Sequence, residues 1–177
     1  MFKKFTLMAV VAAALSLPAF GQTFQNYISN GGFGSGTTGW TLGNNAYLDT
    51  TSDDPCDYYF GYSIKAVALF TPGDTVSQTF TVGTGWTSFA ASFEVQAQSI
   101  SGGTVYDEIR MVIHDNTTNQ TEVGFINGAH LTSTCQRVDV PLSNNYNGHS
   151  VTVTLNSQPF TLLHLYVDNI SFFGRSY

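Results

Sequence analysis

The sequence predicts an all-β domain, a sandwich or barrel of many short strands. Three observations predict it. Apolar residues recur at every second position in several runs, helical periodicity is nearly absent after residue 21, and clusters of Gly, Asn, Asp, Pro and Ser separate the runs. Successive side chains of a strand point to opposite faces, so a period of two marks a sheet with one buried face.

Residues 1–21 stand outside that pattern. Lys3 and Lys4 form a positive start, Leu7 to Leu17 an apolar stretch, and Ala19 and Gly21 a small-residue cut site before Gln22. This is the pattern of a secretory signal peptide, and the apolar stretch falls short of the roughly 20 residues that span a bilayer. No Cys lies near the cut to carry a lipid, and no second apolar run follows. Residues 22–177 then read as one domain, secreted to the cell surface, the medium or a periplasm.

The strands follow in order. Asn30-Gly31-Gly32-Phe33 opens a glycine-rich stretch ending at Gly39-Trp40. Pro72-Gly73-Asp74 and Gly83-Thr84-Gly85 are turns around the strand Val76 to Val82. Phe89, Ala91, Phe93, Val95 and Ala97 share one strand face. After Gly102-Gly103, Ile109, Met111 and Ile113 face one way and Arg110, Val112 and His114 the other. Asn116 to Asn119 is a turn, and Val123 and Phe125 continue the alternation. Asn144 to Gly148 is another turn, before Val151, Val153 and Leu155, and then Leu163, Leu165 and Val167. Trp40 reads as core, Trp86 as core or rim.

Composition narrows the function. The chain carries 12 acidic and 6 basic residues. Loss of Lys3 and Lys4 leaves only Lys65, Arg110, Arg137 and Arg175. Four cations cannot track a phosphate backbone, so nucleic acid is excluded as a partner, and membrane insertion is excluded with it. Cys56 and Cys135 are the only cysteines. In an oxidising compartment a disulfide is the first reading; two buried thiols or a metal site are the alternatives, and no His stands at zinc-ligand spacing from either.

Three stretches resemble the jelly-roll carbohydrate-binding modules and galactose-binding-like domains. They are Asn30-Gly31-Gly32-Phe33 with Gly39-Trp40-Thr41, the pair Val76–Val82 and Gly85–Phe89, and the closing Tyr166-Val167-Asp168-Asn169-Ile170-Ser171-Phe172. They occur at both ends and in the middle, in the family's order. The resemblance implies a jelly-roll β-sandwich and a polysaccharide or glycan partner. It also implies a structural calcium where the first and last strands meet, with Asp168 and Asn30 as its ligands here. Two family acids are replaced, by Gly34 and Asn169, which thins that oxygen set; the other reading of Asp168 is a turn acceptor. No cofactor is otherwise required.

No catalytic constellation stands out. Gly34-Ser35-Gly36-Thr37-Thr38-Gly39 matches a dinucleotide fingerprint in letters only, because no βαβ unit surrounds it. Asp107-Glu108 is an adjacent acid pair, but neighbouring strand residues face opposite ways, which disfavours glycoside hydrolysis. The densest candidate is Asp53 to Tyr62, which holds three acids and four aromatics around Cys56. Tyrosine offers a sugar both a ring face and a hydroxyl, so Tyr58, Tyr59 and Tyr62 are candidate ligand contacts. The alternatives are that these rings alternate into the core, or that the acids hold calcium. Arg110 and His114 are candidate polar contacts, or else a solvated strand face. The sequence therefore points to a secreted, non-catalytic carbohydrate-binding sandwich. The alternative is a structural or adhesive extracellular protein that associates with itself.

Overall fold

A computed structural model describes residues 22–50, 66–69, 71–99, 108–158 and 163–177. The expected signal peptide, Cys56, Tyr58, Tyr59 and Tyr62 lie outside the described residues. Those described form strands and loops without a helix: β1 (Thr23–Asn26), β2 (Thr41–Gly43), β3 (Tyr47–Asp49), β4 (Ala66–Leu69), β5 (Thr75–Thr81), β6 (Ser88–Ser99), β7 (Glu108–Asp115), β8 (Gln120–Asn127), β9 (Gln136–Pro141), β10 (Ser150–Gln158) and β11 (Leu163–Ser176). One sheet runs β3-β4-β11-β6-β9, with β1 also paired to β11; the other runs β2-β5-β10-β7-β8. The pairings are antiparallel. The fold is a β-sandwich, as the alternation predicts.

The alternating residues meet between the sheets. From the first sheet come Val67, Leu69, Phe89, Ala91, Phe93, Val95, Leu165 and Val167; from the second, Val76, Ile109, Met111, Ile113, Val151, Val153 and Leu155. Each large apolar side chain so buried contributes about 1.5–3 kcal/mol relative to exposure. Phe33 and Trp40 join this core, their rings 5.4 Å apart. Trp86 packs at its rim, and its Nε1–H donates to Tyr27 Oη at 2.6 Å.

β11 changes phase partway along. Its register against β6 shifts between Asp168 and Ser171, where one extra residue is accommodated. Before the shift Leu165 and Val167 point into the core; after it Ile170 and Phe172 do. Asn169 supplies the left-handed turn, at φ 48. A strand without the bulge would send Asn169 and Ser171 inward and Ile170 and Phe172 out. The segment before β2 docks on this bulge: Ile170 N–H donates to Gly31 O at 3.1 Å.

β8 departs from the sequence reading. Val123 and Phe125 are 51% and 58% exposed and face outward. The inward positions are Glu122, Gly124 and Ile126. Here the sandwich closes: a Cβ on Gly124 would stand 2.5 Å from Val140 Cγ2 on β9. Tyr146, inside the expected 144–148 turn, is fully buried against Phe89 and Phe172.

Gly31 and Gly34 give a paired test. A Cβ at Gly31 would meet the Ile170 carbonyl oxygen at 2.1 Å, whereas one at Gly34 meets nothing within 4 Å. Gly31→Ala should destabilise by about 1–3 kcal/mol or more, because backbone cannot yield as a side chain can. Gly34→Ala should be neutral or slightly stabilising. Urea midpoints of the two variants check this.

Candidate functional site

Small residues and bulge geometry define the outward side of the β3-β4-β11-β6-β9 sheet. Its cross-strand registers give two rows. One runs Tyr47, Ala68, Tyr166, Gln96; beside it Asp49 pairs with Ala66 on one strand pair, and Asp168, Glu94 and Arg137 pair in turn on the others. Ala66, Ala68 and Tyr166 form a small buried cluster of their own, separate from the sandwich core. Ala66 and Ala68 are at most 1% exposed and Tyr166 is buried with them, so the β4 part of this side is covered. Of the two rows, Tyr47, Glu94, Gln96 and Arg137 reach solvent, while Asp49, Asp168 and Tyr166 are buried.

Each polar group on it has defined chemistry. Tyr47 is 44% exposed. Burial, then the neighbouring Asp49 carboxylate, pushes its hydroxyl above the ordinary tyrosine value, so it stays a proton donor. Glu94 Oε2 accepts from Asn169 Nδ2 at 2.7 Å, which ties the face to the bulge. Gln96 Nε2 donates to Ser133 O at 3.0 Å. Cys135 stands at the β9 edge, its Sγ 3.7 Å from Glu94 Oε2.

Asp168 and Glu94 are register partners, so two carboxylates face each other across strands. Such an acid pair is invisible to a search of neighbouring positions along the chain. Asp168 is only 3% exposed.

The other candidates lie elsewhere. Arg110 and His114 share the outward face of the second sheet, as their spacing predicts. Arg110 pairs with Glu108 two residues away. His114 Nδ1 is 3.0 Å from Thr121 Oγ1. Around them stand Thr75, Ser77, Thr79, Thr152, Thr154 and Asn156, a neutral hydroxyl-rich surface. The structure thus brings Arg110 and His114 together but sets them on the opposite side of the sandwich from Asp168.

Asn30 spends its side chain on its own loop. Its Nδ2 donates to Gly36 O at 2.8 Å and Thr38 O at 3.1 Å, and its Oδ1 accepts from Ser35 N at 2.9 Å. Its carbonyl accepts from Phe33 N and Trp40 Nε1. Asp168 does lie beside this loop: a Cβ on Gly32 would stand 3.7 Å from its Oδ1. No group of three or more His, Cys, Asp or Glu that could hold a metal occurs among the described residues.

Two carboxylates fix loops. Burial alone would raise Asp115, but hydrogen bonds from Thr118 Oγ1, His149 Nδ1 and the Thr117 and Thr118 amides hold it below its ordinary value. Glu122 is held low in the same way, its burial outweighed by Ser143, Tyr146 and the Ser143 and Asn144 amides. Burial, then Glu122, pushes Tyr146 far up.

Sequence reasoning missed Tyr47, Asp49, Glu94 and Gln96. Their signal was the complement of the core pattern: with Phe93, Val95 and Ala97 inward, Glu94 and Gln96 must share the other side. What no linear pattern gives is which strands lie beside β6.

The two-sheet sandwich is a fold also found in solved carbohydrate-binding modules. No protein-family model and no curated protein matches the chain. Solved structures do. TmCBM61 in complex with β-1,4-galactotriose superposes with a TM-score of 0.62 at 12% identity, covering 85% of this chain and 99% of that one. The C-terminal family 22 carbohydrate-binding module of Clostridium thermocellum Xyn10B, named for ligand binding in its cleft, gives 0.53 at 10%, covering 84% and 92%. The enzymatically active domain of bacteriophage CBA120 tailspike protein 4 gives 0.58 at 16%, covering 85% of this chain and 21% of that one. At these identities the likeness is one of fold.

A carboxylate held low contributes stability above its unfolded pKa and loses it as pH falls through the folded value. Stability should therefore decline below about pH 4, where Asp115 and Glu122 take up protons in the unfolded chain while the folded chain still resists them. Asp115→Asn should be less stable at pH 7 and show a shallower decline. Denaturant melts at pH 7 and pH 3 check both.

Proposed function

We propose that residues 22–177 form a secreted, non-catalytic carbohydrate-binding domain. The observation that carries this reading is the part of this face that reaches solvent: the Tyr47 ring, 44% exposed, with Glu94 and Gln96 on the same side of the sheet and Tyr166 and Asp49 buried beneath it. Sugar rings present apolar C–H faces to aromatic planes, and their hydroxyls need acceptors and donors close by. Neighbours of the same fold that bind saccharides support it.

The segment from Asp53 to Tyr62 lies in the chain between β3 and β4. A Cys56–Cys135 bridge would tie it to the β9 edge, beside Gln96. Support for the bridge is that no free cysteine occurs among the described residues. Tyr58, Tyr59 and Tyr62 would then add rings to the same face, with less ordering entropy lost on binding. Arg110 and His114 would form a separate polar patch. Calcium, if bound near Asp168, would act structurally, with Asn30 supplying at most backbone oxygen.

Retention on a panel of soluble and insoluble polysaccharides tests the reading. Saturable retention is expected, with Tyr47→Ala and Tyr59→Ala each weakening it about tenfold, the cost of one stacking contact. Release of reducing ends by the purified protein would overturn the non-catalytic part, and the Asp168–Glu94 pair would be the place to look.

A second reading has its own observation. β8 is an edge strand whose outward side exposes Val123 and Phe125. Exposed apolar edges invite pairing with another copy. No retention on any polysaccharide, with sedimentation that rises with concentration, would favour a structural or adhesive role. For the bridge, thiol titration of denatured, unreduced protein should find none; two titratable thiols would exclude it.

A further inference from the structure

The outward face of the first sheet does not end at Glu94 and Arg137. Beyond the bulge it continues into a groove of 380 Å³ lined by Gln22, Phe24, Arg137, Phe173 and Arg175. The floor is small: β6 offers Ala90 and Ser92 at the registers between β9 and β11. Ser92 and Ser171 hydroxyls bond each other at 2.7 Å and lie flat. One wall is aromatic, with Phe24 and Phe173 edge-to-face at 6.3 Å. Phe24 is 70% exposed, far more than folding requires of a phenylalanine.

The charge is more telling. The domain has only four Lys and Arg residues in all, Lys65, Arg110, Arg137 and Arg175, against 12 acids. Two of the four line this groove. Arg137 leans along β9 to Asp139, Nε to Oδ1 at 2.9 Å, which leaves the rest of its guanidinium edge for a ligand. Arg175 has no ion-pair partner among the described residues. Its place there is fixed by backbone, since its carbonyl accepts from Thr87 N at 2.8 Å. Two guanidiniums and one carboxylate leave room for a single extra negative charge.

We propose that this groove is a subsite for one acidic sugar, a uronate carried as a side group or chain end on an otherwise neutral polysaccharide. The inference rests on the carbohydrate-binding reading and names its ligand class. The ring's apolar face would lie on Phe24 or Phe173, and its carboxylate would take a bidentate hydrogen bond from Arg175, with Arg137 beside it. A polyuronate is disfavoured, because the part-exposed Glu94 carboxylate borders the groove in register with Arg137. The neutral backbone of the polysaccharide would pass Glu94.

The test compares glucuronate-substituted xylan with the same xylan after chemical reduction of its carboxyl groups. The wild-type domain should bind the substituted form about tenfold more tightly, the size of a charge-assisted hydrogen bond lost at a partly exposed site. Arg175→Gln should bind both forms equally, at the level of the reduced one, and 0.5 M salt should narrow the wild-type preference. Equal binding of both forms by the wild type would overturn the acidic subsite while leaving carbohydrate binding intact. Binding of neither form, nor of any other polysaccharide, would overturn the underlying reading. Acetate competing as well as free glucuronate would also overturn the proposal, reducing the groove to a general anion site.

Discussion

One irregularity in one strand holds this sandwich in phase. β11 is the longest strand, and β1, β4 and β6 all pair with it. Its first half must bury Leu165 and Val167, and its second half Ile170 and Phe172. A regular strand cannot do both, since those positions differ in parity. The extra residue at the Asp168–Ser171 shift resolves the conflict, and everything docked on β11 inherits its position. Gly31 lies against the Ile170 carbonyl because the bulge turns that carbonyl toward it. Asn169, bent into the left-handed region, reaches Glu94. The bracket formed by the two ends of the domain is therefore a physical contact.

A chain with so few charges fixes its loops with buried polar groups. Gln78, 5% exposed, exchanges hydrogen bonds with the backbone of Ser29 in both directions. Asp74 is fully buried and accepts from the Thr71 and Asn45 amides, joining two loops. Asp115 and Glu122 do the same at the opposite end. Each is a carboxylate or amide satisfied chiefly by turn N–H groups, which removes the desolvation cost that an unpaired group would carry. Three of the eight acids among the described residues, Asp74, Asp115 and Glu122, are thus structural, and the acidity of the chain overstates the charge its surfaces present.

The fold was legible because period-two alternation survives in β5, β6, β7 and β10, where one face is buried along the full strand. Trp40 was legible as core, whereas Phe33 was legible only as a member of the opening motif. Val123 and Phe125 misled, because an edge strand pinched against Val140 buries glycine and leaves its larger residues outside. Tyr146 hid in a turn because its Asn-rich neighbours mark the loop and not the ring that anchors it. The functional face was legible only one strand at a time. Tyr47, Tyr166 and Gln96 come from three strands far apart in the chain, and nothing local to any of them announces the others. Arg110 and His114 were correctly placed on one face, but local spacing does not say that this face lies across the sandwich from Asp168.

The bulge also divides the outer surface by chemistry. On the β3–β4 side of the shift stand tyrosines and carboxylates over alanines. On the β1 side stand phenylalanines and arginines over serines and alanine. Both halves share β6, whose outward residues are small or polar, and their charge differs, with Glu94 on one side and Arg137 and Arg175 on the other. A uniform polyanion would be repelled along half its length, and a uniform neutral chain would leave two guanidiniums solvated without use. A polymer whose charge is sparse and local satisfies both halves together. The same bulge that reconciles the two halves of the core thus sets where along this side of the sheet the sign changes.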